Sequence, residues 1–211
     1  MKLLFISLGC DKNLVDSEFM IGILANEGIE LTDDENEADI IIVNSCCFIG
    51  DAKEESINTI LEMAQYKNTG KCRSLIVTGC LAQRYSDEIF KEIPEVDAIL
   101  GTNSYDSIVE AVKQTLEKKT YKNLHTLEGL PTIKTKRLIT TGGHYAYLKI
   151  AEGCNKNCTY CVIPSVRGRY RSVPMEDLIE QAESLVRSGV KELILVAQET
   201  TLYGMDLYGK K

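Results

Sequence analysis

Asp39-Ile40-Ile41-Ile42-Val43-Asn44-Ser45-Cys46 decides the fold. Its apolar run is unbroken rather than alternating, as expected of a strand covered on both faces. The same pattern opens the chain from Lys2 to Leu8, returns at Ser74 to Thr78, and recurs in short form from Ala98 to Gly101. Helical stripes separate these runs. They are Phe19, Met20, Ile23 and Leu24, closed by Gly28; Ile57, Ile60, Leu61 and Ala64; Tyr85, Ile89 and Phe90 ahead of Pro94; and Ile108, Ala111, Val112 and Leu116. Alternating strands and helices predict an α/β module over residues 1–118, a parallel flavodoxin- or Rossmann-like sheet with helices on both faces.

Residues 119–143 break the pattern and read as a linker carrying Gly129, Pro131, Gly142 and Gly143. From Lys118 to Arg137, six basic residues, Lys118, Lys119, Lys122, Lys134, Lys136 and Arg137, face only Glu128. This charge suits either a solvated connector or a contact with an acidic partner or RNA. A second module, 144–211, opens with a strand from Tyr145 to Glu152 and a cysteine-rich loop. A helix on Leu178, Ile179, Ala182, Leu185 and Val186 and a strand from Glu192 to Gln198 follow.

The 211 residues are 44% hydrophobic and 26% charged, a soluble globular composition able to bury a core without staples. A net charge of −7 argues against a protein that simply coats nucleic acid. The apolar run Leu3 to Leu8 is shorter than a signal-peptide core of roughly 7–15 residues. No stretch approaches the ~18 apolar residues of a membrane span. The expectation is a cytoplasmic protein, where cysteines stay reduced and serve metals or catalysis.

Two groups of cysteines carry the chemistry. Cys154, Cys158 and Cys161 form C-x3-C-x2-C on one loop. Three thiolates there can hold an iron–sulfur cubane that leaves one iron open. A zinc site is the alternative, although no second pair of Cys or His follows to close a tetrahedron. Cys10, Cys46 and Cys80 are distant in sequence, yet each follows a predicted strand, in FISLGC, IIIVNSC and LIVTGC. The carboxyl ends of parallel strands share one edge, where ligands bind, so these three can meet in one crevice. Buried structural thiols are the alternative. Cys72 matches neither group and reads as structural.

The C-x3-C-x2-C motif, with Tyr160 before its last cysteine, resembles the radical S-adenosylmethionine (SAM) enzymes. With the scattered triad, the whole chain resembles the radical SAM methylthiotransferases. Ser7 to Glu18 (SLGCDKNLVDSE), Asn44-Ser45-Cys46, Gly79-Cys80-Leu81 and Ala146 to Cys161 carry the resemblance. It implies an N-terminal methylthiotransferase domain and the start of a radical SAM partial barrel. It also implies two [4Fe–4S] clusters and SAM: Cys154, Cys158 and Cys161 bind the SAM-cleaving cluster, and Cys10, Cys46 and Cys80 hold an auxiliary one. Cys47 stands where the family usually has a small residue.

Ala197 to Tyr208 (AQETTLYGMDLY) resembles the branch that adds a methylthio group to the β-carbon of an aspartate in ribosomal small-subunit protein twelve. Glu199 replaces the usual Asp, and Val173 an Arg common there. The resemblance implies the ribosomal protein or ribosome as substrate, an electron donor such as flavodoxin or ferredoxin, no membrane, and a monomer. A tRNA adenosine methylthiotransferase and an iron–sulfur protein without turnover are the other readings. The barrel implied by the family is longer than the part present, so the chain is expected to be truncated, with exposed apolar faces in its second module and weak turnover. Arg167, Arg169 and Arg171 either contact SAM or an acidic substrate or form a solvated basic turn. His125 and His144 lack a motif and are expected at the surface or in packing.

Overall fold

The computed structural model describes residues 1–131 and 137–209. Its first half winds through β1 (Lys2–Ser7), α1 (Asp11–Asn26), β2 (Glu30–Leu31), β3 (Ile40–Ser45), α2 (Gly50–Thr69), β4 (Ser74–Gly79), α3 (Cys80–Glu92), β5 (Ala98–Leu100), α4 (Ile108–Leu116) and β6 (Tyr121–Asn123). The strands form one parallel sheet in the order β2-β1-β3-β4-β5-β6. Strand order reverses between β1 and β3, which makes the crevice beyond their carboxyl ends the expected ligand site.

The unbroken apolar runs follow from burial on both faces. Every residue of β3 and of β4 is buried. Ile41, Val43, Leu75 and Val77 pack with Ile60 and Met63 of α2 and Leu81 and Ile89 of α3. The alternate residues Ile40, Ile42 and Ile76 pack on the other face with Met20 and Leu24 of α1 and Ile108 and Val112 of α4. Two short strands escaped the sequence reading: β2 and β6 have two and three residues, too few to show a period. β6 lies inside the stretch read as linker, where it pairs with β5 from Ala98↔Tyr121 to Leu100↔Asn123. The third helix also starts earlier than its apolar stripe suggested, at Cys80, with a kink at Tyr85.

The second half comprises β7 (Tyr145–Lys149), β8 (Ala151–Glu152), α5 (Ile163–Arg167), β9 (Arg171–Ser172), α6 (Met175–Arg187), β10 (Glu192–Val196) and α7 (Met205–Tyr208). β7 and β10 pair in parallel, and β8 and β9 antiparallel. Ala146, Leu148, Ile150, Leu178, Leu185 and Val190 form its core. As expected, apolar side chains remain outside: Ile179, Val186 and Leu195 are 52–60% exposed.

The two halves are packed together. Arg137, 5% exposed, pairs with Glu18 of α1 at 3.0 Å and donates to the Tyr147 carbonyl at 2.6 Å. Thr140 donates to Glu18 through its backbone N–H at 2.7 Å and its hydroxyl at 3.0 Å. Val166 of α5 joins the first module's core, and its carbonyl accepts from the Thr102 hydroxyl at 2.6 Å. The basic stretch thus has several fates: Arg137 is buried on a carboxylate, Lys119 and Lys122 make surface pairs with Glu117 and Asp87, and Lys134 and Lys136 lie outside the described residues.

Candidate cofactor site

The register of the sheet brings the scattered cysteines to one edge. Ser7 pairs with Asn44, and Ser45 with Gly79, so Cys46 and Cys80 leave β3 and β4 side by side. Cys10 caps the N-terminus of α1, one short turn beyond β1. Asn13 ties the three departures together. Its Nδ2 donates to the Leu8 carbonyl at 2.9 Å and the Ser45 carbonyl at 3.1 Å, and its Oδ1 lies 3.9 Å from the Cys80 Sγ. Cys46 and Cys80 are buried, whereas Cys10 is exposed.

Glycines before the cysteines make this crowding possible. Gly9 has φ +90, and a Cβ there would sit 2.7 Å from the Cys46 Cβ and 2.9 Å from its Sγ. Gly79 has φ +92, and its Cβ would fall 2.4 Å from the Ser45 carbonyl oxygen. Side chains rarely adopt that conformation, and here none would fit.

The same device recurs at Cys154. Gly153 has φ +79, with the Arg169 carbonyl 2.1 Å from any Cβ, and the Cys154 N–H donates to the Gly168 carbonyl at 3.0 Å. The loop then turns over, with the Cys161 N–H bonded to the Cys158 carbonyl at 3.0 Å. Cys158 is exposed, Cys154 and Cys161 are half-buried, and Tyr160 is 89% exposed. Lys156 in this loop pairs with Glu199, the residue that departs from the family's aspartate.

The three arginines after the loop differ. Arg169 is exposed. Arg171 donates to the carbonyls of Leu127 at 2.5 Å and Arg169 at 2.7 Å. Arg167 is neither solvated nor open to a substrate: it is 2% exposed. Its Nη1 pairs with Asp16 at 2.7 Å and Glu152 at 2.9 Å, and its Nη2 donates to Asn13 Oδ1. The same Asn13 Oδ1 lies 3.9 Å from the Cys80 Sγ. Lys149 completes the set, pairing with Asp16 and, at 3.0 Å, with Glu152. Burial opposes the Lys149 charge, but Asp16, Tyr105 and Glu152 hold its pKa above the usual lysine value. Burial likewise opposes ionised Glu152, yet Arg167 and Lys149 hold it below the usual carboxylate range. Burial raises the Cys80 thiol despite the neighbouring Arg167. It pushes Cys47, reinforced by Cys80 and Cys46, up to about 11. Sequence reasoning missed Asn13, Asp16, Lys149 and Glu152 as a group, because polar residues at these spacings look like solvent-facing positions.

His125 is half exposed beside Asn123 and Asp106, and His144 stacks edge-on against Tyr145. The AQETTLYGMDLY segment makes internal contacts. Gln198 donates to Glu152 at 3.0 Å, the Tyr203 hydroxyl to the Val173 carbonyl at 2.9 Å, and Asp206 accepts from the Ser172 hydroxyl at 2.6 Å.

Comparison with known proteins gives two family matches. Residues 2–101 match the model of the uncharacterized protein family UPF0004, and residues 148–209 match the radical SAM superfamily. Across both halves the chain is similar to proteins named as methylthiotransferases. It is 64% identical over its full length to a protein of Lachnoclostridium phytofermentans named ribosomal protein uS12 methylthiotransferase RimO. Proteins of the same name from Acetivibrio thermocellus and Clostridioides difficile are 57% and 54% identical over 98% and 100% of the chain. The chain spans about half the length of these relatives, 47–48%. No described helix is long and apolar enough to cross a membrane.

Proposed function

We propose that the chain carries the cofactor-binding half of a methylthiotransferase that modifies an aspartate of ribosomal protein uS12. The observation that carries this reading is the arrival of Cys10, Cys46 and Cys80 at the sheet's switch point, where Asn13 holds the strand ends, with the C-x3-C-x2-C loop linked to Asn13 through Arg167 and its neighbour Gly168. The name shared by the relatives supplies the substrate.

Among the described residues, no three His, Cys, Asp or Glu side chains are placed to hold a single metal ion. A polynuclear cluster asks for something different, since each thiolate binds its own iron and the ligands stand further apart. The donor set suits such a group: two all-thiol triads, with glycines at Gly9, Gly79 and Gly153 where a Cβ would collide with the surrounding chain. In this reading Cys154, Cys158 and Cys161 hold the cluster that binds SAM, and Cys10, Cys46 and Cys80 hold the auxiliary one. The first cluster with SAM supplies radical chemistry, and the auxiliary one supplies or presents sulfur. The chain's own residues bind and space these groups. One site has Cys46 and Cys80 buried and Cys10 exposed, while Cys158 and Tyr160 leave the other open to a small molecule. Residues 1–118 and 144–211 are the two modules and 119–143 their connector. The protein acts in the cytoplasm as a monomer, with a flavodoxin or ferredoxin as electron donor.

The test is an anaerobic assay of the reconstituted chain, and of a full-length relative, with SAM, reductant and either uS12 or tRNA. Methylthio-aspartate in uS12 is the expected product of the full-length protein. Methylthio-adenosine without modified aspartate would overturn the assignment. The chain alone is expected to bind SAM and turn over weakly.

A further inference from the structure

The buried charges at the module boundary balance only across it. Asp16 belongs to α1 of the first module; Lys149, Glu152 and Arg167 belong to the second. All four are at most 7% exposed. Removing one partner from this set while the modules stay packed leaves an uncompensated buried charge, a large penalty. Together the two carboxylates and two cations cancel.

We propose that Arg167 is a positioning residue that locks the two cysteine triads to each other. One guanidinium serves Asp16, Glu152 and Asn13 at once, and Asn13 Oδ1 also lies 3.9 Å from the Cys80 Sγ. Asn13, in turn, holds the backbone just before Cys46 and just before Cys10 through the Ser45 and Leu8 carbonyls. On the other side Glu152 leads directly into Gly153-Cys154, and Gly168, next to Arg167, accepts the Cys154 N–H at 3.0 Å. A movement of either triad therefore has to break a bond to this one side chain or to its immediate neighbours. Three acceptors around one planar head need the fork of an arginine, and a lysine ammonium meets only part of the set. The role rests on the cluster reading above, but the lock itself does not.

The experiment begins with the metal-free full chain and a small maleimide, following each thiol by mass spectrometry. Cys80 reports on the lock. Cys72, buried under α2 and β4, reports on the first module's core. Arg167→Met is expected to raise alkylation of Cys80 by about a hundredfold while Cys72 stays protected, the scale expected for opening a buried ion pair. Arg167→Lys should give a smaller rise. Next, Cys154, Cys158 and Cys161 are replaced by alanine and the remaining cluster is reconstituted. Its reduction potential should shift negative with Arg167→Met, because a cation beside a ligand sulfur is lost, and stay close to the original with Arg167→Lys. Three results would overturn the proposal: Cys80 remaining protected, Cys72 and Cys80 opening together, or a potential that does not move. A chain that shows the alkylation pattern but takes up no iron would defeat the cluster reading and leave the lock standing.

Discussion

Single glycines decide whether the cysteines can meet. Gly79 sits at φ +92 and ψ −158, a region that glycine alone tolerates, with the Ser45 carbonyl where a Cβ would go. Gly28 also has positive φ, +77, but open space around it. Gly28→Ala should therefore cost about 1 kcal/mol from backbone strain alone. Gly79→Ala should cost roughly 3 kcal/mol or more, since collision adds to strain. Denaturant titration of the two variants checks the contrast; equal losses would mean that the chain relaxes around Gly79. The sequence marked the scattered triad through its strand contexts, yet these glycines gave no signal without the positions of Ser45 and Cys46. Arg167 was ambiguous for a similar reason. Its neighbours Arg169 and Arg171 suggest a basic turn, and only the partners Asp16 and Glu152, far away in the chain, show that it is buried.

At the scale of the element, α1 is the helix least like its sequence expectation. Phe19, Met20 and Leu24 do face the core. However, Asn13, Asp16, Ser17 and Glu18 are buried too, at 0–3% exposure. An amphipathic pattern assumes that one face meets water, whereas here the strand ends, Arg137 and the second module cover that face. The polar residues of the KNLVDSE segment are consumed in this way: Asn13 on the strand ends, Asp16 on Lys149 and Arg167, Ser17 on Ser7 at 2.8 Å, and Glu18 on Arg137. Asn13→Ala leaves the Leu8 and Ser45 carbonyls without this donor, and the Arg167 Nη2 without this acceptor. The expected loss is roughly 3 kcal/mol, seen as a lower denaturation midpoint at unchanged slope. Iron uptake by the scattered triad should fall with it, while the C-x3-C-x2-C loop keeps its own. A variant with full stability would remove Asn13 from the centre of this account. The three long strand runs of the sheet were legible because parallel strands buried on both faces show unbroken apolar stretches. Leu61 was not: it fits the stripe of α2 by spacing but is 45% exposed, while Met63 faces inward.

At the scale of the whole molecule, the first module packs helices on both faces of its sheet, whereas the second leaves apolar side chains of α6 and β10 exposed. Leu178 and Leu185 of α6 point into its small core, but Ile179 and Val186 point away, and Leu195 of β10 is likewise exposed. Such exposure promotes association. Combining Ile179→Gln, Val186→Lys and Leu195→Thr should lower concentration-dependent association in light scattering with little change in stability. A large loss of stability would mean that these side chains are packed in solution.

The central claim concerns two separate sites of three thiolates each, one assembled by a sheet edge and one by a single loop. Iron and sulfide counted per chain after anaerobic reconstitution test it most directly. The account predicts about eight irons, falling to about four when Cys154, Cys158 and Cys161 are alanine, and again to about four when Cys10, Cys46 and Cys80 are alanine. Zinc in place of iron, or a count unchanged by either triple substitution, would contradict it.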